Sequence, residues 1–176
     1  MASGQLKKKP RLLVTDYWPL TTDYFHMHPP DNIHILNRVL AVLCKSFPQY
    51  MMYSRPYIPR SRQGVLDTLK EIAGDQTMLA ERISQLVFDA GGLSQLGAFP
   101  MEFTDTHDLN VNHLLREAIR YQREEIATLE ACRDELALAP TARALVEEAV
   151  GMAKGHLESL EELPSNGASK QPAVVS

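Results

Sequence analysis

Apolar residues recur at spacings of three and four along four stretches of the chain, the signature of helices that bury one face. The first stretch opens after Pro29-Pro30-Asp31, where Asp31 can cap, and carries Ile33, Leu36, Leu40, Leu43 and Phe47. Pro48 falls inside it and removes one backbone hydrogen bond, so a kink is expected there. The run Arg55-Pro56-Tyr57-Ile58-Pro59-Arg60 ends it. The second stretch carries Val65, Leu69, Ile72, Gln76, Leu79, Ile83, Leu86 and Ala90, and stops at Gly91-Gly92. The third runs from about Leu109 to Leu136, with Leu115, Ile119, Gln122, Ile126 and Leu129 on one stripe. Ala139-Pro140-Thr141 starts the fourth, since proline suits a first helical turn, and its stripe is Leu145, Ala149, Met152, His156, Leu160 and Leu163.

The spacing between these stretches predicts a topology. The connections from first to second and from third to fourth are short, so each pair should form an antiparallel hairpin. The connection from Leu93 to Asp108 is long enough to cross from one end of a bundle to the other. An all-α four-helix bundle with one long crossover between helices two and three is therefore predicted over residues 31–163. Residues 1–30 read as an irregular arm rich in aromatics (Tyr17, Trp18, Tyr24, Phe25), and residues 164–176 as a disordered tail with little to bury.

Composition changes this picture little but excludes some functions. Hydrophobic residues make up 44% and charged residues 23% of 176 residues, an ordinary globular balance for one domain. The formal net charge of −4 argues against nucleic acid or an anionic membrane as partner. The run Lys7-Lys8-Lys9-Pro10-Arg11 reads as a solvated tail, with an address or a phosphate-binding arm as the alternative. No apolar segment is long enough to span a membrane, and the opening residues lack the apolar stretch of a signal peptide, so a cytoplasmic location is expected. Cys44 and Cys132 lie in helical patterns without metal-type spacing. In the helix register that the resemblance given below implies, with helices one and three antiparallel, about 1.5 Å rise per residue places them on the order of 15 Å apart. That is beyond the roughly 7 Å a bridge allows, so both thiols should stay free.

From Asn32 to Tyr57 there is no carboxylate. This matters because several motifs are similar to those of the bacterioferritin branch of the ferritin-like superfamily. "LNRVLAVLCKSFPQY" resembles that family's opening helix at Leu36, Asn37, Leu40, Gln49 and Tyr50; "LAERI" and "GHLESLEEL" match the second and fourth helices. The resemblance covers roughly residues 32–163 and implies the bundle fold. It also places the family's di-iron ligands on Leu43, on Ile72 and Asp75, on Gln122, and on Ala153 and His156. Ala73 stands where the family's haem-ligating methionine would be, so no haem is expected. A di-iron centre needs about four carboxylates and two histidines. Leu43, Ile72 and Ala153 should instead face one another at that level, and ferroxidase activity is not expected.

What the resemblance leaves at that level is Asp75, Gln122 and His156. One reading is a buried polar cluster in which His156 donates to Asp75 and Gln122 satisfies the rest. The other is a mononuclear metal site with positions open to water. Other candidates are weaker. His26-Met27-His28 has donors suited to copper. Met51 and Met52 with Tyr50, Tyr53 and Tyr57 read as core filling around Pro48, or as a ligand-lining stripe. His107 and His113 read as surface or capping residues. The expectation is thus a non-catalytic ferritin-like protein that acts by association, as a homodimer or larger assembly or with another protein. The alternative is a metal-binding protein, or a mononuclear metal enzyme, using Asp75, Gln122 and His156.

Overall fold

The computed structural model describes residues 30–106 and 111–166. They form an all-helical structure with five α-helices: α1 (Pro30–Cys44), α2 (Phe47–Ser54), α3 (Gln63–Asp89), α4 (Val111–Glu135) and α5 (Pro140–Asn166). None is long and apolar enough to cross a membrane. The arm expected over residues 1–30 lies outside the described residues apart from Pro30, as do His26-Met27-His28, His107 and the tail beyond Asn166.

Where a kink at Pro48 was expected, the helix breaks. α1 ends at Cys44, with a last backbone bond from Lys45 N to Ala41 O, and α2 starts afresh at Phe47. Ser46 is the reason. It takes an extended conformation, and its hydroxyl accepts from Gln49 N, while Pro48 sits in the first turn where a missing N–H costs nothing. Arg55, in a left-handed conformation, closes α2 through its N–H to Met51 O. At the far end of α3, Gly91 takes φ +77°, and a Cβ on Gly92 would stand 2.8 Å from Ile33 Cγ2. The Gly-Gly stop therefore serves both the turn and the close passage of α1.

α1 and α2 together pack against α3 and α4, and α5 packs against the same two helices. Cross-links give the directions. Asn37 reaches Leu93 while Gln49 reaches Ala73, so α1–α2 and α3 run antiparallel. Arg38 pairs with Glu135 and Phe47 stacks on Tyr121, which sets α4 antiparallel to α1–α2. α5 opposes both of its neighbours, through Arg82–Glu148 and His156–Asp75 to α3 and through Lys154–Glu130 and Arg123–Glu161 to α4.

After α3, residues 93–103 lie along α1 and α2. Gln95 N donates to Asn37 Oδ1, and Gly97 lies against Ala41. Lys45 Nζ sits 4.5 Å over the Phe99 ring. A 3₁₀ turn over Met101–Thr106 then buries Phe103 among Phe47, Tyr50 and Tyr121, at centroid distances of 5.3, 5.5 and 4.8 Å. Edge-on and tilted aromatic contacts of this kind add about 0.5–1.5 kcal/mol each beyond area burial. The segment is held as a docked strap.

The core has two apolar halves. One gathers Leu36, Leu40, Leu43, Ile83, Leu129, Leu136 and Ala153; the other gathers Phe47, Met51, Leu69, Ile72, Leu114 and Leu160. On each of the four passes a buried polar residue falls between them: Ser46, then Gln76, then Gln122 and Glu125, then His156.

Candidate functional site

This polar belt is the chemically distinctive part of the described interior. Ser46 Oγ donates to Gln76 Oε1 at 2.7 Å, and Gln76 Nε2 donates to the two oxygens of Glu125 at 3.0 and 3.2 Å. The chain of bonds joins the α1–α2 break, α3 and α4 through the middle of the protein. Ser46, Gln76 and Glu125 are all buried, Gln76 completely. Burial drives the Glu125 carboxyl up to about 8, well above the usual carboxylate range, although the Gln76 hydrogen bond pulls the other way. No ion pair reaches Glu125 among the described residues.

The belt contains two further polar side chains, each with an unmet atom. Gln122 Nε2 donates to Ala153 O at 3.3 Å, which leaves Gln122 Oε1 buried without a partner. His156 Nε2 lies 3.0 Å from Asp75 Oδ2, and His156 Nδ1 is buried and unpartnered.

Of the residues the sequence singled out, the structure therefore brings Asp75 and His156 together and leaves Gln122 out of that pair. Asp75 is about half exposed, with 49% of its side chain accessible against 10% for His156. The pair opens into a groove of about 310 Å³ between α3 and α5, lined also by Thr68, Glu71, Ser159 and Glu162. Among the described residues, no three of His, Cys, Asp or Glu stand together in a way that could hold a metal ion.

The three apolar residues expected to meet are split between the core halves. Leu43 and Ala153 lie in one and Ile72 in the other. His113, half-buried at the start of α4, contacts Arg116 and lies 3.9 Å from Glu117. Tyr50 and Met51 are core, as one of the two readings held, whereas Tyr53 and Tyr57 are exposed. Cys44 and Cys132 are both free, and burial raises both thiols.

Glu125 and Ser46 were missed. The expected α4 stripe ran through Ile119 and Ile126, which are only half-buried; the buried face runs Leu115, Ala118, Gln122, Glu125, Leu129, Cys132. Spacing alone carried no signal, since both series keep a strict three-four repeat and the expected one is the more apolar. A carboxylate in a core position is rare enough to have been passed over. No protein-family model matches the chain, and no curated protein matches it significantly.

Proposed function

We propose that this chain is a ferritin-like four-helix bundle with one long crossover whose metal level has been replaced by a belt of buried polar side chains, and that it works without catalysis, by association. The observation that carries the reading is what occupies the middle of the protein. Leu43, Ile72 and Ala153 are 0–1% exposed, and the buried carboxyl nearby is bonded to Gln76 and lifted by burial. A two-iron centre needs several ionised carboxylates facing one another, and this donor set does not fit one. The order of helices, the antiparallel neighbours and the strap along α1 and α2 support the bundle topology.

Association is supported by one end of the molecule. Phe88 closes α3 with 71% exposure, Leu93 follows at 80%, and Leu138 in the α4–α5 turn is 99% exposed. Asn37 touches Leu93 and the adjacent Arg38 pairs with Glu135, so these apolar side chains crowd the same end. Exposed apolar side chains gathered at one end support a contact surface better than scattered ones do.

The test combines light scattering with metal analysis of tag-free protein exposed to Fe, Mn, Zn and Cu. The expected result is a dimer or larger species without stoichiometric metal, reduced to monomer by Phe88→Lys with Leu138→Lys. Stoichiometric metal that disappears in His156→Ala overturns the reading in favour of a metal protein. A monomer at every concentration overturns association.

A further inference from the structure

The two ends of the Ser46–Gln76–Glu125 chain do different work. At one end the Ser46 hydroxyl caps α2, accepting from Gln49 N at 3.4 Å, at the point where the first helical pass breaks in two. At the other end is a carboxyl buried between two apolar halves. Between them stands a primary amide, and an amide turned by half a revolution exchanges carbonyl for NH2 without changing shape.

The chain can therefore run in either direction. With Glu125 ionised, the carboxylate accepts twice from Gln76 Nε2, and Gln76 Oε1 accepts the Ser46 proton, which is the observed pattern. With a proton on Glu125, the carboxyl gains an O–H and must donate. Turning the amide gives that O–H the Gln76 carbonyl, and the Gln76 NH2 then donates to Ser46 Oγ. The Ser46 proton is released from Gln76, and its oxygen takes a second donor beside Gln49 N.

We propose that Ser46, Gln76 and Glu125 form a reversible hydrogen-bond relay that carries the protonation state of Glu125 to the joint between α1 and α2. The inference does not depend on the ferritin-like reading.

The charged groups on the surrounding elements are engaged elsewhere. On the α1–α2 turn Lys45 lies over Phe99. On α3 and α5, Asp75 pairs with His156 and Arg82 with Glu148, while Lys154 of α5 pairs with Glu130 of α4. On α4 Arg123 pairs with Glu161. None forms an ion pair with Glu125, so burial and the Gln76 bond govern its titration. The relay is then set to turn near pH 8, within reach of small changes about neutrality.

The experiment is a pH titration of the full chain by NMR. It follows the Glu125 carboxyl carbon, the Gln76 side-chain amide, and the backbone amides of Ser46 and Gln49. The expected result is one shared midpoint near 8 at all four groups. In Ser46→Ala the carboxyl should keep its high midpoint while the Gln49 amide goes flat. In Glu125→Gln the Gln49 amide should go flat as well. A carboxyl midpoint in the usual range near 4.5 overturns the relay. So does a high carboxyl midpoint with flat Ser46 and Gln49 amides in the wild-type protein, a result that requires no variant to fold. A Gln49 titration that survives Glu125→Gln overturns it too.

Discussion

Gln76 Nε2 lies within 3.2 Å of both carboxyl oxygens of Glu125, and the two residues bridge α3 and α4 where the apolar core is interrupted. The contact holds the carboxyl without neutralising it. An amide donates to a carboxylate but brings no positive charge, so the desolvation of the ionised form is only partly offset.

The first prediction concerns stability against pH. The folded protein holds the Glu125 proton up to about 8, whereas an ordinary glutamate releases it near 4.5. Between those values the native state binds more protons than the unfolded chain, so stability must fall as pH rises. The contribution is fully present below the ordinary value and is lost as pH passes through 8. At about 1.4 kcal/mol per pH unit, the loss across that window is at most on the order of 5 kcal/mol. Glu125→Gln keeps the shape and removes the titration. Urea denaturation at intervals from pH 5 to pH 9 should show a slope in the wild type and a nearly flat line in the variant. Equal slopes would show that another group sets the dependence.

Above the Glu125 midpoint, Ser46→Ala should cost roughly 1–3 kcal/mol, because it removes the α2 cap and leaves the buried Gln76 Oε1 without its donor. Ser46→Gly isolates the second part. Glycine is a tolerable cap residue, so most of its cost should reflect Gln76 alone. A loss below about 0.5 kcal/mol in both variants would show that water replaces the hydroxyl.

The helices were legible because burial follows period. Val65, Leu69, Ile72, Gln76, Leu79, Ile83, Leu86 and Ala90 form one stripe in the sequence; the first six are buried on α3, and Leu86 and Ala90 are half-buried. The strap was legible in length but not in contact, since nothing in the spacing of Phe99 and Phe103 says that they dock on α2. Ser46 was hidden by its neighbour. Pro48 signals a disturbance in a helix, but a serine two residues before a proline also spells a new helix start, and that was the outcome. The belt was half legible. Gln76 and Gln122 were placed on inner stripes, yet no rule of periodicity says that a glutamate one turn further along α4 completes the set. Asp75 and His156 were correctly brought together, but exposure depends on how α3 and α5 open into a groove, which sequence does not encode locally.

Leu43 stands in the apolar half of the core next to the belt with no exposed surface. Leu43→Glu should destabilise by several kcal/mol at neutral pH, because it buries a charge with no partner. Leu43→Ala should cost about 2–5 kcal/mol through the cavity left behind. The glutamate variant should recover part of its loss as pH falls from about 7 to about 5, since a buried carboxyl takes up its proton above the ordinary range, and the alanine variant should not. Thermal melts of both variants at two pH values distinguish these effects. An unchanged melting temperature for Leu43→Glu would place residue 43 at the surface.

The last prediction revises what sequence suggested for His156. A carboxylate sealed in the core would make the loss of its imidazole partner cost several kcal/mol. Asp75 is instead about half exposed, so water can take over from the ring. The contact is then nearer to a surface pair, worth up to about 1 kcal/mol, than to a buried one. Asp75→Ala should therefore cost no more than about 1 kcal/mol. His156→Ala should cost more, roughly 2–3 kcal/mol, because the ring itself is nine-tenths buried and its removal leaves a cavity. The double variant should fall within about 1 kcal/mol of the sum. Chelator should change none of the four melts, since ligand binding is what would make stability depend on free metal. A coupling above about 2 kcal/mol would mean that Asp75 is shielded from water in solution. A chelator-sensitive melt lost in His156→Ala would assign the pair to a metal ion.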